Sequence, residues 1–150
     1  MNFRRWAVFA VALLAGCSPP TPDVVKSELI AADKAFSAMS AKEGAKAAFL
    51  YYITQDAKLL SDVRVGPDAV NATFRNLPST ALLTWEPAYV DASASGDLGY
   101  TWGRYRLSFP SAAKNGKPYL QTGTYVTIWK RQAGGGWKFV LDGGNPDGTR

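Results

Sequence analysis

The chain has 150 residues, a formal net charge of +5 and 47% hydrophobic residues, which together indicate one folded domain with a modest core. It contains no histidine, which excludes Ser-His-Asp and Cys-His catalysis and every histidine-containing metal site. Acid–base chemistry would therefore depend on carboxylates, tyrosines or lysines. No basic run follows Cys17, so the charge pattern does not favour nucleic-acid binding.

The first sixteen residues have the pattern of an export signal. Arg4 and Arg5 precede the apolar run Trp6–Leu14, which is shorter than the ~20 residues that a helix needs to cross a bilayer. A charged start, a short hydrophobic segment and small residues at a cleavage site are typical of secretory signal peptides. The run ends in Leu14-Ala15-Gly16-Cys17, which resembles the lipobox of bacterial lipoproteins. An ordinary signal peptide with a chance cysteine and a twin-arginine signal are the alternatives.

The lipobox resemblance implies that residues 1–16 are removed and that Cys17 becomes the lipid-carrying N-terminus. Cys17 is the only cysteine in the chain, so no intrachain disulfide is expected. By resemblance to Gram-negative lipoproteins, Ser18 after the cysteine favours sorting to the outer membrane. We therefore expect an envelope protein anchored on the periplasmic face of the outer membrane. Residues 17–22 would form the lipidated cysteine and a proline-rich tether, and residues 23–150 would form the domain.

Helical patterns dominate the first half of the domain. Asp23 is the predicted N-cap of a helix that runs to about Ser40, with apolar residues at spacings of three and four. Asp33, near that apolar face, is expected to lie in solvent, and the alternative is that it reaches the mouth of a pocket. The further elements predicted here are a helix over about Ala45–Thr54, a short strand over Lys58–Ser61, and a third helix that begins at Gly66 and ends before Pro78.

The second half contains four runs rich in aromatic and β-branched residues, separated by turn residues. Asn115-Gly116 is a two-residue hairpin signal, and Pro87 indicates an edge strand or a bulge in the first run. The predicted fold class is α+β, with N-terminal helices packed on a strongly curved, four-stranded antiparallel sheet. The predicted strands are Leu82–Ser93, Leu98–Phe109, Tyr119–Arg131 and Trp137–Asp142.

Tight hairpin closure predicts which residues are neighbours, because side chains alternate across a strand. The predicted pairs are Glu86 with Tyr105, Tyr105 with Val126, Leu107 with Thr124, Trp129 with Trp137, Val126 with Val140, and Thr124 with Asp142. One face would then be rich in aromatic and arginine side chains, namely Trp85, Tyr89, Tyr100, Trp102, Arg104, Arg106, Tyr125, Trp129, Trp137 and Phe139. Neither face is polar throughout, so both need cover. The helices can cover one face, and a second copy of the chain is the simplest cover for the aromatic face, which predicts a homodimer.

The other face would carry two carboxylates among small and aliphatic residues. A largely apolar surface with a few polar groups is typical of small-molecule sites. A small, mainly apolar molecule is therefore the expected ligand, and no cofactor and no metal are expected. The candidate ligand-binding residues are Glu86, Tyr105, Thr124, Val126 and Asp142.

Several segments carry a resemblance to a known family: Ala32-Asp33-Lys34-Ala35-Phe36, Ala48-Phe49, Leu83-Thr84-Trp85-Glu86-Pro87, Ser95-Gly96-Asp97-Leu98-Gly99-Tyr100-Thr101, Gly123-Thr124-Tyr125-Val126-Thr127-Ile128-Trp129, and Gly136-Trp137-Lys138 leading to Asp142. Over about residues 24–145 the chain resembles the nuclear transport factor 2-like superfamily, which includes ketosteroid isomerases and SnoaL-like polyketide cyclases. The similarity is closest to a bacterial branch that is named only as a domain of unknown function. The resemblance implies a cone-shaped domain with its pocket between the helices and the concave face of the sheet.

The resemblance also implies candidate catalytic roles. Ketosteroid isomerase uses an aspartate base with an oxyanion hole made by a tyrosine and a protonated aspartate. By that comparison Asp142 would be the base, and Tyr105 with a protonated Glu86 would donate hydrogen bonds. The transfer is by chemical character, because no motif ties these positions to the isomerase. The alternative is that Asp142 and Glu86 belong to a structural hydrogen-bond network.

Three functions follow from these patterns. The first is a lipid-anchored envelope protein that binds a small apolar molecule or acts as an accessory domain. The second is a cofactor-independent isomerase, cyclase or hydratase, and the third is a structural or protein-binding module with a filled cavity. A carboxylate with a raised pKa in an open cavity would favour the enzyme. An open cavity with ordinary carboxylates would favour binding, and a filled interior would favour the structural module.

Overall fold

The computed structural model describes residues 20–111 and 117–148. The signal segment, Cys17 and the Asn115-Gly116 turn therefore lie outside the described residues. The helices are α1 Pro22–Glu43, α2 Ala45–Tyr52 and α3 Gly66–Thr73. The strands are β1 Ile53–Leu59, β2 Leu82–Ala92, β3 Leu98–Phe109, β4 Tyr119–Arg131 and β5 Trp137–Pro146. The predicted α+β class is confirmed, since the helices pack on one curved sheet.

The first helix begins and ends where local chemistry requires it. Thr21 occupies the N-cap position and Pro22 the first helical position, where the missing N–H of proline costs nothing. Asp23 lies in the first turn rather than at the cap, where its charge complements the helix dipole. The helix continues past the predicted end at Ser40 and stops before Gly44, whose φ of 92° lies in the region that favours glycine. Among the described helices, none is long and apolar enough to cross a membrane.

The sheet has five strands rather than the predicted four, in the order β1-β5-β4-β3-β2. Strand β1 runs parallel to β5, and the other neighbours are antiparallel. The predicted strand Lys58–Ser61 overlaps only the end of β1, which begins at Ile53 directly after α2. The sequence of β1 alternates poorly, with two exposed polar residues in succession at Gln55 and Asp56, so its pattern resembles a loop.

Five of the six predicted cross-strand pairs are wrong by an odd number of residues, and the sixth, Trp129 with Trp137, is wrong by two. Tyr105 pairs with Gly123 instead of Val126, and Asp142 pairs with Thr127 instead of Thr124. The pairing of β3 with β4 begins at Phe109 and Tyr119, so the connection is longer than a two-residue turn. Because side chains alternate between the two faces of a sheet, a slip by an odd number of residues moves every side chain of the slipped strand to the opposite face.

Four other predicted pairs are also wrong. Glu86 pairs with Arg104 instead of Tyr105, since Tyr105 pairs with Trp85. The remaining corrections are Leu107 with Gln121, Trp129 with Phe139, and Val126 with Gly143. The register shift between Pro87 and Tyr89, on the edge strand β2, agrees with the edge strand or bulge that Pro87 indicated. No local sequence pattern indicated the shift between Ile128 and Trp129.

The corrected register gives the sheet an inner face beneath the helices and an outer face turned away from them. Five residues of the predicted aromatic dimer face are buried on the inner face: Trp85, Tyr125, Trp129, Trp137 and Phe139. The outer face keeps Tyr89, Tyr100, Trp102, Arg104 and Arg106, all of them exposed. The predicted aromatic face is therefore divided between the core and the surface, because the odd slip exchanged the faces of half its members.

An aromatic cluster holds α1 against the inner face. Phe36 is fully buried, and its ring centroid lies 4.6 Å from that of Trp85, 4.8 Å from that of Phe49 and 5.6 Å from that of Phe139. Edge-to-face and offset contacts at these distances are favourable beyond simple burial. Helix α1 also provides hydrogen-bond partners for the backbone of the edge strand β2, since Ser37 Oγ accepts a hydrogen bond from the Trp85 N–H and donates one to the Trp85 carbonyl. This packing fixes the position of α1 relative to the inner face of the sheet.

Candidate functional site

A cavity of about 590 Å³ is lined by residues of α2, the end of α3 and the inner face of the sheet, and also by Trp102, Thr124 and Val126 of its outer face. Its volume is in the range of small-molecule sites. Apolar side chains from α2, β1, β2, β3 and the end of α3 form much of its wall: Phe49, Leu59, Phe74, Leu83, Trp85 and Leu107. The polar side chains in the wall include Tyr105, Gln121, Thr124, Tyr125, Asp142 and Asn145. Among the described residues that line the cavity there is one carboxylate and no lysine or arginine.

Asp142 is that single carboxylate. It lies on β5, and Thr127 Oγ1 on β4 donates a hydrogen bond of 2.6 Å to its Oδ2. Burial in the apolar wall raises the pKa of Asp142 to about 7, the hydrogen bond from Thr127 opposes the rise, and the nearby charge of Asp33 adds to it. Within the described residues no cation forms an ion pair with Asp142. A carboxyl with this pKa exchanges protons readily at neutral pH.

Tyr105 provides a hydroxyl group in the same cavity. Gln121 Nε2 donates a hydrogen bond of 3.1 Å to the Tyr105 hydroxyl, and the Tyr119 hydroxyl donates to Gln121 Oε1 at 2.7 Å. Burial raises the pKa of Tyr105, so the phenol stays protonated at neutral pH. Because its oxygen already accepts from Gln121, its own proton can be donated to a ligand.

Two glycines leave room for the ring of Tyr105. A Cβ on Gly123 would lie 2.5 Å from Tyr105 Cε1, and a Cβ on Gly144 would lie 3.2 Å from the same atom. The first distance is far inside van der Waals contact, so the ring occupies the space that a side chain at Gly123 would need. The position of Tyr105 in the cavity therefore depends on β4 and β5 as well as on its own strand.

Sequence reasoning missed a second, buried carboxylate behind the cavity wall. Asp33 on α1 is fully buried rather than solvated, and it accepts hydrogen bonds from Trp85 Nε1 at 2.7 Å and from the Tyr125 hydroxyl at 2.6 Å. Burial raises the pKa of Asp33, while the hydrogen bonds from Tyr125 and Trp85 oppose the rise. Trp85 and Tyr125 line the cavity, so Asp33 holds two of its wall residues in place. The available signal was spacing, because Asp33 follows Leu29 by four residues and precedes Phe36 by three.

The structure does not bring Glu86 to this site. Glu86 lies on the outer face, its side chain is 69% exposed, and its Oε1 forms an ion pair of 2.7 Å with Lys34 Nζ. Glu86 is absent from the cavity wall, whereas Tyr105, Thr124, Val126 and Asp142 line it. The register puts Thr124 and Val126 on the outer face of the sheet, whereas Asp142 lies on the inner face. The prediction that these residues share one face is therefore wrong. Their roles in ligand binding stay predictions.

The fold is similar to that of several solved proteins at low sequence identity. A ketosteroid isomerase-like protein from Erwinia carotovora atroseptica matches with a TM-score of 0.66 and 16% identity, over 83% of this chain and 97% of its own. A nuclear transport factor 2-like superfamily protein from Salmonella enterica serovar Typhimurium matches with a TM-score of 0.63 and 13% identity, over 85% and 94% of the two chains.

A third solved structure is named for a reaction. A hexachlorocyclohexane dehydrochlorinase matches with a TM-score of 0.62 and 13% identity, over 84% of this chain and 88% of its own. No model of a known protein family matches the chain, and no curated protein matches it. The solved structures and the helix-on-sheet architecture together show that the chain has the nuclear transport factor 2-like fold.

Proposed function

We propose that the domain binds a small, mainly apolar molecule in the cavity and catalyses a cofactor-independent proton transfer on it, with Asp142 as the acid–base group. The observation that carries the proposal is the position of Asp142, a single carboxyl in an apolar wall with one hydrogen bond from Thr127. A catalytic base works best when its pKa is near the working pH. The pKa of about 7 at Asp142 meets that condition.

The remaining polar groups suit a reaction in which negative charge develops on a ligand oxygen. Tyr105 keeps a hydroxyl proton to donate, and no cation lines the described wall to hold an anionic ligand. The ligand is therefore uncharged where it contacts the wall. In the proposed step the carboxylate of Asp142 takes a proton from a C–H beside a carbonyl group, and Tyr105 donates a hydrogen bond to the resulting enolate oxygen. Returning the proton to a different carbon completes an isomerisation.

The geometry places one constraint on the ligand. Tyr105 and Asp142 lie on the strands at either side of β4, opposite Gly123 and Thr127 respectively. A ligand that contacts both side chains must therefore extend along β4. Solved proteins of the same fold include ones named as ketosteroid isomerase-like and as a hexachlorocyclohexane dehydrochlorinase, which supports a catalytic role for this cavity. Binding without catalysis is the alternative and predicts the same cavity with an inert Asp142.

A deuterium-exchange experiment separates these two functions. Native mass spectrometry of residues 18–150 detects any small molecule that copurifies, and that molecule, or a panel of enolisable cyclic ketones, is then incubated with the protein in D₂O. We expect C–H deuteration by the wild-type protein and none by Asp142→Asn. Asp68→Asn, at an exposed position of α3, is the matched control and should keep full activity. Binding without exchange by the wild type would refute catalysis.

We also propose that the mature protein is anchored to the bacterial cell envelope by lipid on Cys17, on the periplasmic face of the outer membrane. The support is the segment Leu14-Ala15-Gly16-Cys17 followed by Ser18. Two or more acyl chains on one cysteine anchor a protein stably. The test is expression of the full chain with a labelled fatty acid. We expect label on the wild type and none on Cys17→Ala, and an unlabelled wild type would contradict the anchor.

A further inference from the structure

The outer face of the sheet carries an exposed apolar stripe, which consists of Leu98, Tyr100 and Trp102 on β3 and Tyr89 on β2. These side chains are 42%, 37%, 44% and 54% exposed, respectively. Tyr89 pairs with Trp102 across the strands, and its ring centroid lies 6.0 Å from that of Tyr100. The four residues are therefore one continuous patch, and continuous apolar patches mark interaction surfaces more often than scattered residues do.

The stripe begins where the chain enters the domain. Leu98 is the first residue of β3 and directly follows the turn that contains Gly96. A Cβ on Gly96 would lie 3.6 Å from Cγ of Pro20 and 3.2 Å from Cγ2 of Val25, so Pro20 packs against that turn. Pro20, the first described residue, therefore lies at the same end of the domain as the stripe.

The connection from the domain to the proposed lipid is short. Cys17 precedes Pro20 by three residues, which can span at most about 11 Å when fully extended. If Cys17 carries the lipid, the turn at Gly96 must stay close to the bilayer surface. A tether of this length keeps the domain close to the bilayer. An apolar surface near the tether would then determine which face of the domain contacts the lipid.

We propose that the apolar stripe rests on the surface of the lipid bilayer that anchors Cys17. Tyrosine and tryptophan prefer the membrane–water interface, where the ring contacts the acyl boundary and the polar atom stays hydrated. The proposal rests on the lipidation proposed above, and it adds the face of the domain that meets the membrane.

Three of the cations around the stripe are paired within the protein: Lys26 with Asp91, Lys34 with Glu86, and Arg104 with Asp147. Lys130, which lies opposite Leu98, and Arg106 are exposed and form no ion pair among the described residues. We assign the main contact to the aromatic rings, which predicts that neutral phosphatidylcholine is a sufficient surface. Lys130 and Arg106 would add a salt-dependent contribution only on anionic lipid.

The tryptophans of the chain make a selective test available. After Cys17 the sequence contains four tryptophans. Trp85, Trp129 and Trp137 are at most 9% exposed, and Trp102 is 44% exposed. A quencher confined to the bilayer can therefore reach Trp102 and not the three others.

The experiment couples residues 17–150, which contain every described helix and strand, through the single thiol of Cys17 to a maleimide-headgroup lipid. The vesicles are phosphatidylcholine with brominated acyl chains, and unbrominated vesicles give the reference. We expect lower tryptophan emission on the brominated vesicles and complete loss of that difference in Trp102→Phe. Equal emission from the wild type on both kinds of vesicle would overturn the proposal.

A second variant tests whether the contact is specific to the stripe. Val63 is 97% exposed and follows β1, the edge strand that β5 and β4 separate from the stripe on β3. Val63→Trp in the Trp102→Phe background moves the exposed tryptophan to the β1 edge of the sheet, and we expect no quenching there. Quenching equal to that of the wild type would show tumbling on the surface and would overturn the proposed orientation.

A second copy of the chain is the competing occupant of the stripe. Sedimentation of the uncoupled protein and acrylamide quenching address it. A monomer with Trp102 open to acrylamide supports the proposal, whereas a dimer that shields Trp102 overturns it. Chemical coupling supplies the anchor in these experiments, so a failure of cellular lipidation is detected separately by the fatty-acid label on Cys17.

Discussion

Replacing Asp142 with asparagine should change how stability depends on pH. The pKa of Asp142 in the folded protein is about 7, above the ordinary value of 3.8. The folded state therefore binds more protons than the unfolded state between these values, so the free energy of unfolding falls as pH rises from about 4 to about 7. The pKa difference corresponds to about 4 kcal/mol. This is an upper value, because Asp142 is partly exposed to water in the cavity.

The asparagine side chain keeps the shape of the aspartate and still accepts from Thr127, but it does not ionise. Urea unfolding of both proteins at pH 4 to 8 gives the difference in unfolding free energy. We expect the variant to gain on the wild type as pH rises, by up to about 4 kcal/mol at pH 8. Asp68→Asn, on the exposed side of α3, should follow the wild type. A difference between Asp142→Asn and the wild type that is independent of pH would refute the raised pKa.

Three further substitutions test the packing around the site. Asp33→Ala removes the acceptor of two buried hydrogen bonds, so thermal unfolding should show a loss of about 2–5 kcal/mol; an unchanged midpoint would contradict the network. Gly123→Ala places a Cβ 2.2 Å from the Asn145 carbonyl oxygen and 2.5 Å from Cε1 of Tyr105, so it should lower stability by disturbing β5 and should also shift the NMR signal of the Tyr105 ring, whereas Gly134→Ala meets nothing within 4 Å and should have no effect. Phe36→Ala empties the centre of the aromatic cluster and should cost about 3–5 kcal/mol in urea unfolding; a cost below about 1 kcal/mol would show that the cluster collapses around the gap.

The local patterns of the sequence predicted most elements well. The bounds of β3 and β4, Leu98–Phe109 and Tyr119–Arg131, agree with the structure residue for residue. Runs of aromatic and β-branched residues between turn residues are local signals, and strands of this length carry them clearly. The strand β1 was predicted poorly because its pairing with β5 is parallel and distant in sequence, and nothing local to Ile53–Leu59 records that partner.

The candidate site was predicted in part. Asp142 and Tyr105 were selected because a carboxylate and a tyrosine stand out in apolar strands, and both line the cavity. Glu86 has the same local appearance but lies on the outer face with Lys34. Asp33 was placed in solvent although it is fully buried. The difference lies in the partners, because a buried carboxylate needs hydrogen-bond donors that come from other elements.

The sequence by itself determined the order of the elements, the α+β class and the residue types available for chemistry, because these depend on local propensity and composition. The tertiary structure decided the register, and with it which residues share a face. When the register of two strands differs from the predicted one by an odd number of residues, the inner and outer side chains of a whole strand are exchanged. The odd slip between β3 and β4 put Tyr125 on the inner face and left Trp102 44% exposed, and the one-residue slip between β2 and β3 put Trp85 on the same inner face, where Trp85 and Tyr125 both donate to Asp33.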